Sequence, residues 1–209
     1  LLDLGYTCKV AHCNFLLRGE ESDADEAFVS DLCEKLGVEL EVILFETAEC
    51  AKYKGISIEM AARELRYDWF NRLIENGYGT KIAIAHHRDD NVETFFLNLT
   101  RGAGLKGLCG IQPVNGNIIR PLLNVSRAEI EEYLLAKKQD YVVDYTNLED
   151  EFARNKIRLH VVPMLEKINP ACQVNVDLAM KHLNQSYLIY QKAVAESIER
   201  VKKGNIVDI

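Results

Sequence analysis

The chain has 209 residues, 48% hydrophobic and 27% charged, with four prolines, which bounds it to one large domain or a domain plus an appendage of ordinary globular make-up. No apolar run approaches the length of a membrane span and no signal peptide is recognised, so the expected setting is cytoplasmic, without membrane contact. A net charge of −7 argues against a domain that holds nucleic acid mainly through a basic surface; residues 150–209 carry +2 against −9 before them, so a polyanion is expected at the last third or on a part outside this chain.

In chain order, Leu1 to Gly5 read as a helix end stopped by glycine, and Cys8 to Ala11 as a strand running into His12-Cys13-Asn14-Phe15. Ser22-Asp23-Ala24-Asp25-Glu26 caps a helix whose apolar face is Ala27, Phe28, Leu32 and Leu36, with Gly37 as its stop. Leu40 to Phe45 is the next strand. Thr47 to Ser57 is polar and mobile in character, and Ile58 to Glu75 form a strong helix carrying Arg63, Arg66, Tyr67 and Trp69.

Ile82 to Ala85 are too few for a helix and read as a buried strand. The polar cluster His86-His87-Arg88-Asp89-Asp90 follows, then Val92, Phe95, Phe96 and Leu99 at helical spacing. Asp90 with Glu93 fits a capping pair for that helix. The plain reading is one capping aspartate and solvated histidines; the alternative is a ligand site, because such junctions lie at the carboxyl edge of an α/β sheet.

Arg101-Gly102-Ala103-Gly104 lacks the Walker order and is a weak phosphate cradle by itself. Ile118-Ile119 makes a short strand into Arg120-Pro121-Leu122, and Ser126 with Glu129 opens a helix through Ala136. Tyr141 to Asp144 resembles another strand. Arg154 begins a helix to Leu165 with Ile157, Val161 and Leu165 facing inward, and a long helix runs from about Ala171 to Lys203, ending on Lys202-Lys203-Gly204. Ile206 to Ile209 looks like a strand cut short. Alternating strands and helices indicate an α/β fold: a parallel sheet covered by helices on both faces, with a C-terminal helical extension. Residues 1–170 are expected as the main domain and 171–209 as a helical extension or linker.

Six cysteines are scattered with no Cys-x-x-Cys pair or metal-ligand spacing, and read as small core residues in a reducing compartment.

With these pieces in place, the chain resembles the catalytic domain of the tRNA(Ile)-lysidine synthetase family, within the N-type ATP pyrophosphatases. The matching residues are His12 through Arg18 with Ser22 to Asp25; Ala62-Arg63 through Arg66-Tyr67; Ala85 through Thr94; and Arg101 to Gly104. They continue with Arg120-Pro121-Leu122, Asp144-Tyr145-Thr146-Asn147, and Arg154-Asn155-Lys156-Ile157-Arg158. The resemblance covers nearly everything from Ala11 to Pro170 and implies an adenine nucleotide alpha hydrolase-like, Rossmann-like fold. One departure stands out: the family's Ser-Gly-Gly-x-Asp-Ser loop, which holds the ATP phosphates and magnesium, occurs nowhere in these 209 residues. Residue 1 already resembles the helix after that loop, so the natural beginning is expected upstream and the activity is inferred for the parent protein.

The resemblance implies ATP and Mg2+ as cofactors, and isoleucine tRNA with a CAU anticodon and free L-lysine as partners. The wobble cytidine is adenylated on its C2 oxygen, and lysine then displaces AMP. Lysine has an ordinary amine pKa of about 10.4 and must be gripped by carboxylate and stripped of a proton. Within that scheme Asp90 is the candidate to hold the amine, supported by Glu93, and His86 to shuttle a proton. Arg66 and Arg158 neutralise phosphate charge, Arg154 does the same or meets the tRNA backbone, and Arg101 is a substrate-binding residue. His12, Asn14 and Arg18 line the adenosine pocket, chiefly through backbone, and no metal ligand is assigned. Plainer roles stay open: Arg66 pairing with acids on its helix, Arg158 with Asp144, and His87 as a packing residue. Two rival functions remain as well. One is a sulfur-transferring tRNA enzyme of the same superfamily, disfavoured by the lack of Cys-x-x-Cys. The other is a non-catalytic nucleotide- or tRNA-binding module.

Overall fold

A computed structural model describes residues 1–144, 152–203 and 206–207. Contacts divide the chain into two units, Leu1–Ile82 and Ala83–Ile209.

In the first unit a 3₁₀ turn at Leu2–Leu4 closes on Gly5 at φ +79. Strand β1, Val10–Asn14, pairs in parallel with β2, Leu40–Leu44, in the register Val10 with Leu40 through Asn14 with Leu44. His12, Cys13 and Asn14, expected just beyond the strand, are therefore its last three residues. The strand ends where buried Asn14 accepts the Leu16 N–H through Oδ1 at 3.0 Å and turns the chain. Helix α1, Glu20–Leu36, joins the two strands. It starts two residues before the expected cap at Ser22, whose hydroxyl instead accepts the Arg18 N–H at 3.3 Å from inside the first turn.

The stretch expected to be mobile holds a short helix, α2, Thr47–Lys54. Its only fully covered side chains are small, Thr47 and Ala51, one turn apart, so it buries a narrow stripe that polarity alone conceals. Helix α3, Ile58–Glu75, matches its expected bounds and is capped by the Ser57 side chain accepting the Met60 N–H. Trp69 of α3 meets Phe45 edge-on at 6.5 Å, and Phe45 stacks on Phe15 at 5.7 Å; this aromatic row, with Ala51 and Ala61, is the unit's core.

Strand β3, Ile82–Ala83, leads into the second unit, where it neighbours β5, Ile118–Ile119. Strand β4, Val114–Asn115, forms an antiparallel hairpin with β5 around Gly116, so this edge departs from the parallel pattern of β1 and β2. Helix α4, Arg88–Thr100, is followed by α5, Leu105–Leu108, and α6, Arg127–Lys137, the last opened by the expected Ser126–Glu129 capping box. Tyr141, Val142 and Val143 form no strand: all three are between 42% and 49% exposed, so neither side of the segment buries a face. Tyr145, Thr146 and Asn147 of the matched motif, and Gly204, lie outside the described residues.

Helix α7, Ala153–Lys156, runs through a π-helical turn at Ile157–Val161 into α8, Val162–Ile168. That turn shifts the buried face by one position. Ile157 is buried as expected, but Val161 is 40% exposed and Val162 takes its place in the core. Val92 of α4, Ile157 and Val162 form the central cluster, with Phe96, Leu97 and Val176 against it. Helix α9, Cys172–Val201, packs on α4, α5 and α8, and its end leads into β6, Lys202–Lys203, paired antiparallel with β7, Ile206–Val207. Among the described residues no helix is long and apolar enough to cross a membrane.

Candidate functional site

The second unit gathers the charged residues of the β3–α4 junction against α7 and the π-turn. His87 is the N-cap of α4, and its backbone N–H donates to Asp90 Oδ2 at 2.9 Å. The capping pair is thus His87 with Asp90, one turn earlier than the expected pairing of Asp90 with Glu93. That frees Glu93 to face inward, where it is 2% exposed.

A buried carboxylate must be paired, and two arginines do this. Arg154 Nε donates to Glu93 Oε2 at 2.7 Å, while Arg158 donates through Nε to Oε1 at 2.6 Å and through Nη2 to Oε2 at 3.0 Å. Arg154 Nη2 also reaches Asp90 Oδ1 and the Asp90 carbonyl oxygen, both at 3.1 Å. Arg158 Nη2 lies 3.9 Å from Asp90 Oδ1. The hydrogen bond to Glu93 pushes the Arg158 guanidinium still further toward its charged form, against the opposing effect of burial. Four spaced residues, 154 and 158 on one helical face and 90 and 93 on another, make a two-acid, two-arginine lock.

His87 lies beside that lock. Its Nδ1 is 3.4 Å from Asp89 Oδ2 and its Nε2 is 3.4 Å from Asp90 Oδ2. Burial works against a charge on the ring, yet the carboxylates of Asp89 and Asp90 outweigh it and the His87 pKa is raised. Asp89 answers with a lowered pKa: burial opposes this, and the contact to His87 and the Arg127 backbone N–H, at 2.9 Å, prevail. A cavity of about 200 Å3 opens here, lined by His87, Asp89, Glu93, Arg127, Arg158 and Glu166 among others. It presents both signs of charge within one small space.

His86 belongs to the same junction but faces a different group, Arg120, whose Nε donates to His86 Nδ1 at 3.0 Å. Arg101 caps the end of α4, exposed, where the glycine-rich segment begins with Gly102 at φ +72.

The remaining expected site residues lie in the first unit. His12 pairs with Val42 inside β1. Asn14 is 2% exposed, and its amide donates to Asp23 Oδ1 at 3.2 Å and Glu26 Oε2 at 2.9 Å, so its side chain fixes the β1–α1 turn. Arg18 bonds Asp25 and lies 3.8 Å from Glu21. Arg66 stands with its guanidinium carbon 5.0 Å from the centre of the Phe15 ring and beside the Cys13 thiol. Burial pushes that thiol up to about 11 although Arg66 opposes the rise.

Three residues of the second unit were passed over as site residues by sequence reasoning: His87, Asp89 and Arg120. All three stand inside matched motifs. Arg120 carried the clearest signal, a charged side chain directly after a short apolar strand. Among the described residues no three His, Cys, Asp or Glu side chains are grouped to hold a metal ion, and the acids of the lock are taken by arginine. The six cysteines are all free thiols.

The family model of the PP-loop domain matches residues 3–165. Among curated proteins, the tRNA(Ile)-lysidine synthase of Bacteroides thetaiotaomicron is 52% identical over 94% of this chain and 46% of its own length. That of Parabacteroides distasonis is 48% identical over 99% of this chain and 49% of its own. The chain thus spans about half the length of the curated relatives it matches. Among solved structures, the U34-tRNA thiolase NcsA from Methanococcus maripaludis, with its [4Fe-4S] cluster, superposes with a TM-score of 0.65 at 17% identity, over 83% of this chain and 61% of that one. Identity so low speaks to the fold alone, which is the adenine nucleotide alpha hydrolase-like arrangement expected from the motifs. From the matched span and the motifs it contains, the chain belongs to the PP-loop domain family, and it is similar over most of its length to curated tRNA(Ile)-lysidine synthases.

Proposed function

We propose that the protein containing this chain joins free L-lysine to C2 of the wobble cytidine in CAU-anticodon isoleucine tRNA, using ATP, in the cytoplasm. The C2 oxygen attacks the α-phosphorus of ATP, forming a P–O bond as pyrophosphate leaves. A lysine amine then attacks C2; the new C–N bond replaces the C–O bond, the amine gives up a proton, and AMP departs. The balance is one ATP to one AMP and one pyrophosphate.

The observation that carries this reading is the lock beside the cavity. Adenylyl transfer builds negative charge that fixed guanidinium groups counter, and Glu93 holds Arg154 and Arg158 in fixed positions for it. A carboxylate has about four lone-pair positions, and Asp90 spends one on the His87 backbone N–H and one on Arg154, with the His87 ring nitrogen 3.4 Å away drawing on a third, so about one position is left for an ammonium group. The cavity's mixture of Asp89, Glu166, Arg127 and Arg158 suits a zwitterionic amino acid. Arg66 on α3, with His12, Asn14 and Arg18, is assigned to the nucleotide side, and Arg101 to the tRNA backbone. Magnesium is expected with ATP, where one or two carboxylates and the phosphate oxygens commonly suffice to hold it, and no step here runs through it.

The test uses the complete product of the encoding gene with unmodified isoleucine tRNA, ATP and labelled lysine. Expected are lysidine in the tRNA and equal amounts of AMP and pyrophosphate. Consumption of a sulfur donor in place of lysine would favour the thiolase-type reaction, and neither product would leave a binding module. Within the enzyme, Asp90→Asn is expected to lose lysine transfer, and Arg158→Ala to lose ATP–pyrophosphate exchange with tRNA, each by about 100-fold or more. Wild-type rates in either variant would remove that role.

A further inference from the structure

Six described side chains around the cavity of about 200 Å3 carry charge or can acquire it, and four of them are already matched. Arg154 and Arg158 hold Glu93, and Arg158 gives it both Nε and Nη2. Asp89 accepts the Arg127 backbone N–H at 2.9 Å and stands 3.4 Å from the His87 ring. The other two are Glu166 and Arg127. Glu166 of α8 has one contact, the Gln173 amide of α9 donating to Oε1 at 2.7 Å, which orients the carboxylate and leaves Oε2 without a partner among the described residues. Arg127, at the start of α6, gives its Nε to Glu131 at 2.7 Å, and its two terminal nitrogens meet no acceptor among the described residues. Glu166 and Arg127 form no ion pair with each other, so the cavity presents one open acid and one open base with space between them.

We propose that Glu166 and Arg127 are specificity-determining residues that receive the head group of a free α-amino acid, Glu166 Oε2 taking its α-ammonium and the terminal nitrogens of Arg127 its α-carboxylate. The inference rests on the synthetase reading for lysine as that amino acid, and on the cavity alone for which side chains meet the head group. An α-amino acid carries both charges on one carbon, so its site needs an acid and a base open to one space. The guanidinium fork matches a carboxylate with two parallel N–H donors, and an ammonium brings three donors to the acid. Val162 and Pro163 give the same wall an apolar part, on which the four methylenes of a lysine side chain can lie. Lysine has two amines, and either could reach Asp90 if nothing held the head group. With the α-ammonium on Glu166, the amine at the far end of the side chain is the one left for Asp90. The same pair sets lysine apart from a diamine of equal length, which would leave Arg127 unmatched.

The test crosses two variants with three ligands. Dissociation constants for lysine, cadaverine and ε-aminocaproate are measured by ligand-observed NMR on the complete gene product, without tRNA or ATP. Cadaverine is lysine without its carboxylate, and ε-aminocaproate is lysine without its α-amine. The wild-type protein is expected to hold lysine about tenfold or more tighter than either analogue. Glu166→Gln is expected to weaken lysine and cadaverine by about 10- to 100-fold and to leave ε-aminocaproate as it was. Arg127→Gln, which keeps the backbone N–H that Asp89 accepts, is expected to weaken lysine and ε-aminocaproate by a similar factor and to leave cadaverine as it was. Equal weakening of all three ligands in one variant would mean that the side chain acts through the fold, and would overturn the proposal. Unchanged lysine binding in Glu166→Gln, or no lysine binding to the wild-type protein, would overturn it too. The binding pattern needs no reaction, so its appearance without lysidine formation would sink the synthetase reading and uphold the head-group contacts. Lysidine formation with the pattern absent would do the reverse.

Discussion

His87 shows how one side chain can tie the stability of a site to pH. With a carboxylate 3.4 Å from each ring nitrogen its pKa is raised, so its contribution to stability is complete below the unfolded value of about 6.5 and disappears as pH climbs through the higher folded value. Asp89, whose pKa is lowered, contributes above its unfolded value of about 3.9 and loses that contribution as pH falls through the folded one. Both are in force together from about pH 4 to 6.5. His87→Gln is accordingly expected to cost on the order of 1 kcal/mol at pH 5.5, and less at pH 9, when urea midpoints are compared at the two values. A gap that is the same at both pH values, or wider at pH 9, would mean that the ring is not held charged by its neighbours. The same residue marks what was hidden in the sequence: adjacent His and Asp residues were plain to see, but which acid caps the helix and which turns inward depends on one turn of register.

Among the elements, the starts of α3 and α6 were legible, while the caps of α1 and α4 and the pairings of distant segments were not. The Ser126–Glu129 box before α6 announces its helix, because a cap is a contact within four residues, whereas Ser57, which caps α3, was read as the end of a mobile stretch. The exchange of Val161 for Val162 was not legible, because it comes from a π-turn. Pro163 offers a reason after the fact: it has no N–H for the carbonyl of Leu159, and the widened turn absorbs the gap. Arg154 and Arg158 were recognised as a motif, yet their pairing with Glu93, some sixty residues away, is a tertiary fact. The segment after α5 is similar. Gly110 lies at φ +69, and a Cβ there would sit 2.4 Å from Asn91 Oδ1 and 2.5 Å from Met180 Sδ, both on buried residues. Gly116, at φ +60 in the β4–β5 hairpin, has nothing within 4 Å. Gly116→Ala is expected to cost about 1 kcal/mol for left-handed backbone, and Gly110→Ala about 1–3 kcal/mol more for overpacking, measured by denaturant unfolding. Equal costs would show that α4 and α9 yield easily at this contact.

For the molecule as a whole, the division into Leu1–Ile82 and Ala83–Ile209 has a measurable consequence, because the only tryptophan belongs to the first unit. Trp69 packs on Phe45 in the aromatic row and reports on that core alone, whereas far-ultraviolet circular dichroism sums the helices of both units. Glu93 lies in the other unit, where removing its charge leaves two guanidinium groups facing a neutral amide. Loss of one partner from a buried ion pair costs about 3–5 kcal/mol, and the partial exposure of Arg154 and Arg158, 35% and 26%, brings the expectation for Glu93→Gln to about 2–3 kcal/mol. If each unit unfolds as its own cooperative step, that substitution moves the part of the dichroism transition owed to α4, α7, α8 and α9 and leaves the Trp69 fluorescence midpoint where it was. If the two probes shift together, the molecule unfolds as one body and the lock supports His12, Asn14, Arg18 and Arg66, proposed for the nucleotide side, as well as its own. The two outcomes differ in what they say about catalysis. Under independent steps, damage to the lock is confined to the arginines it holds, and on the proposed assignment nucleotide binding by the first unit outlasts the loss of the proposed lysine transfer.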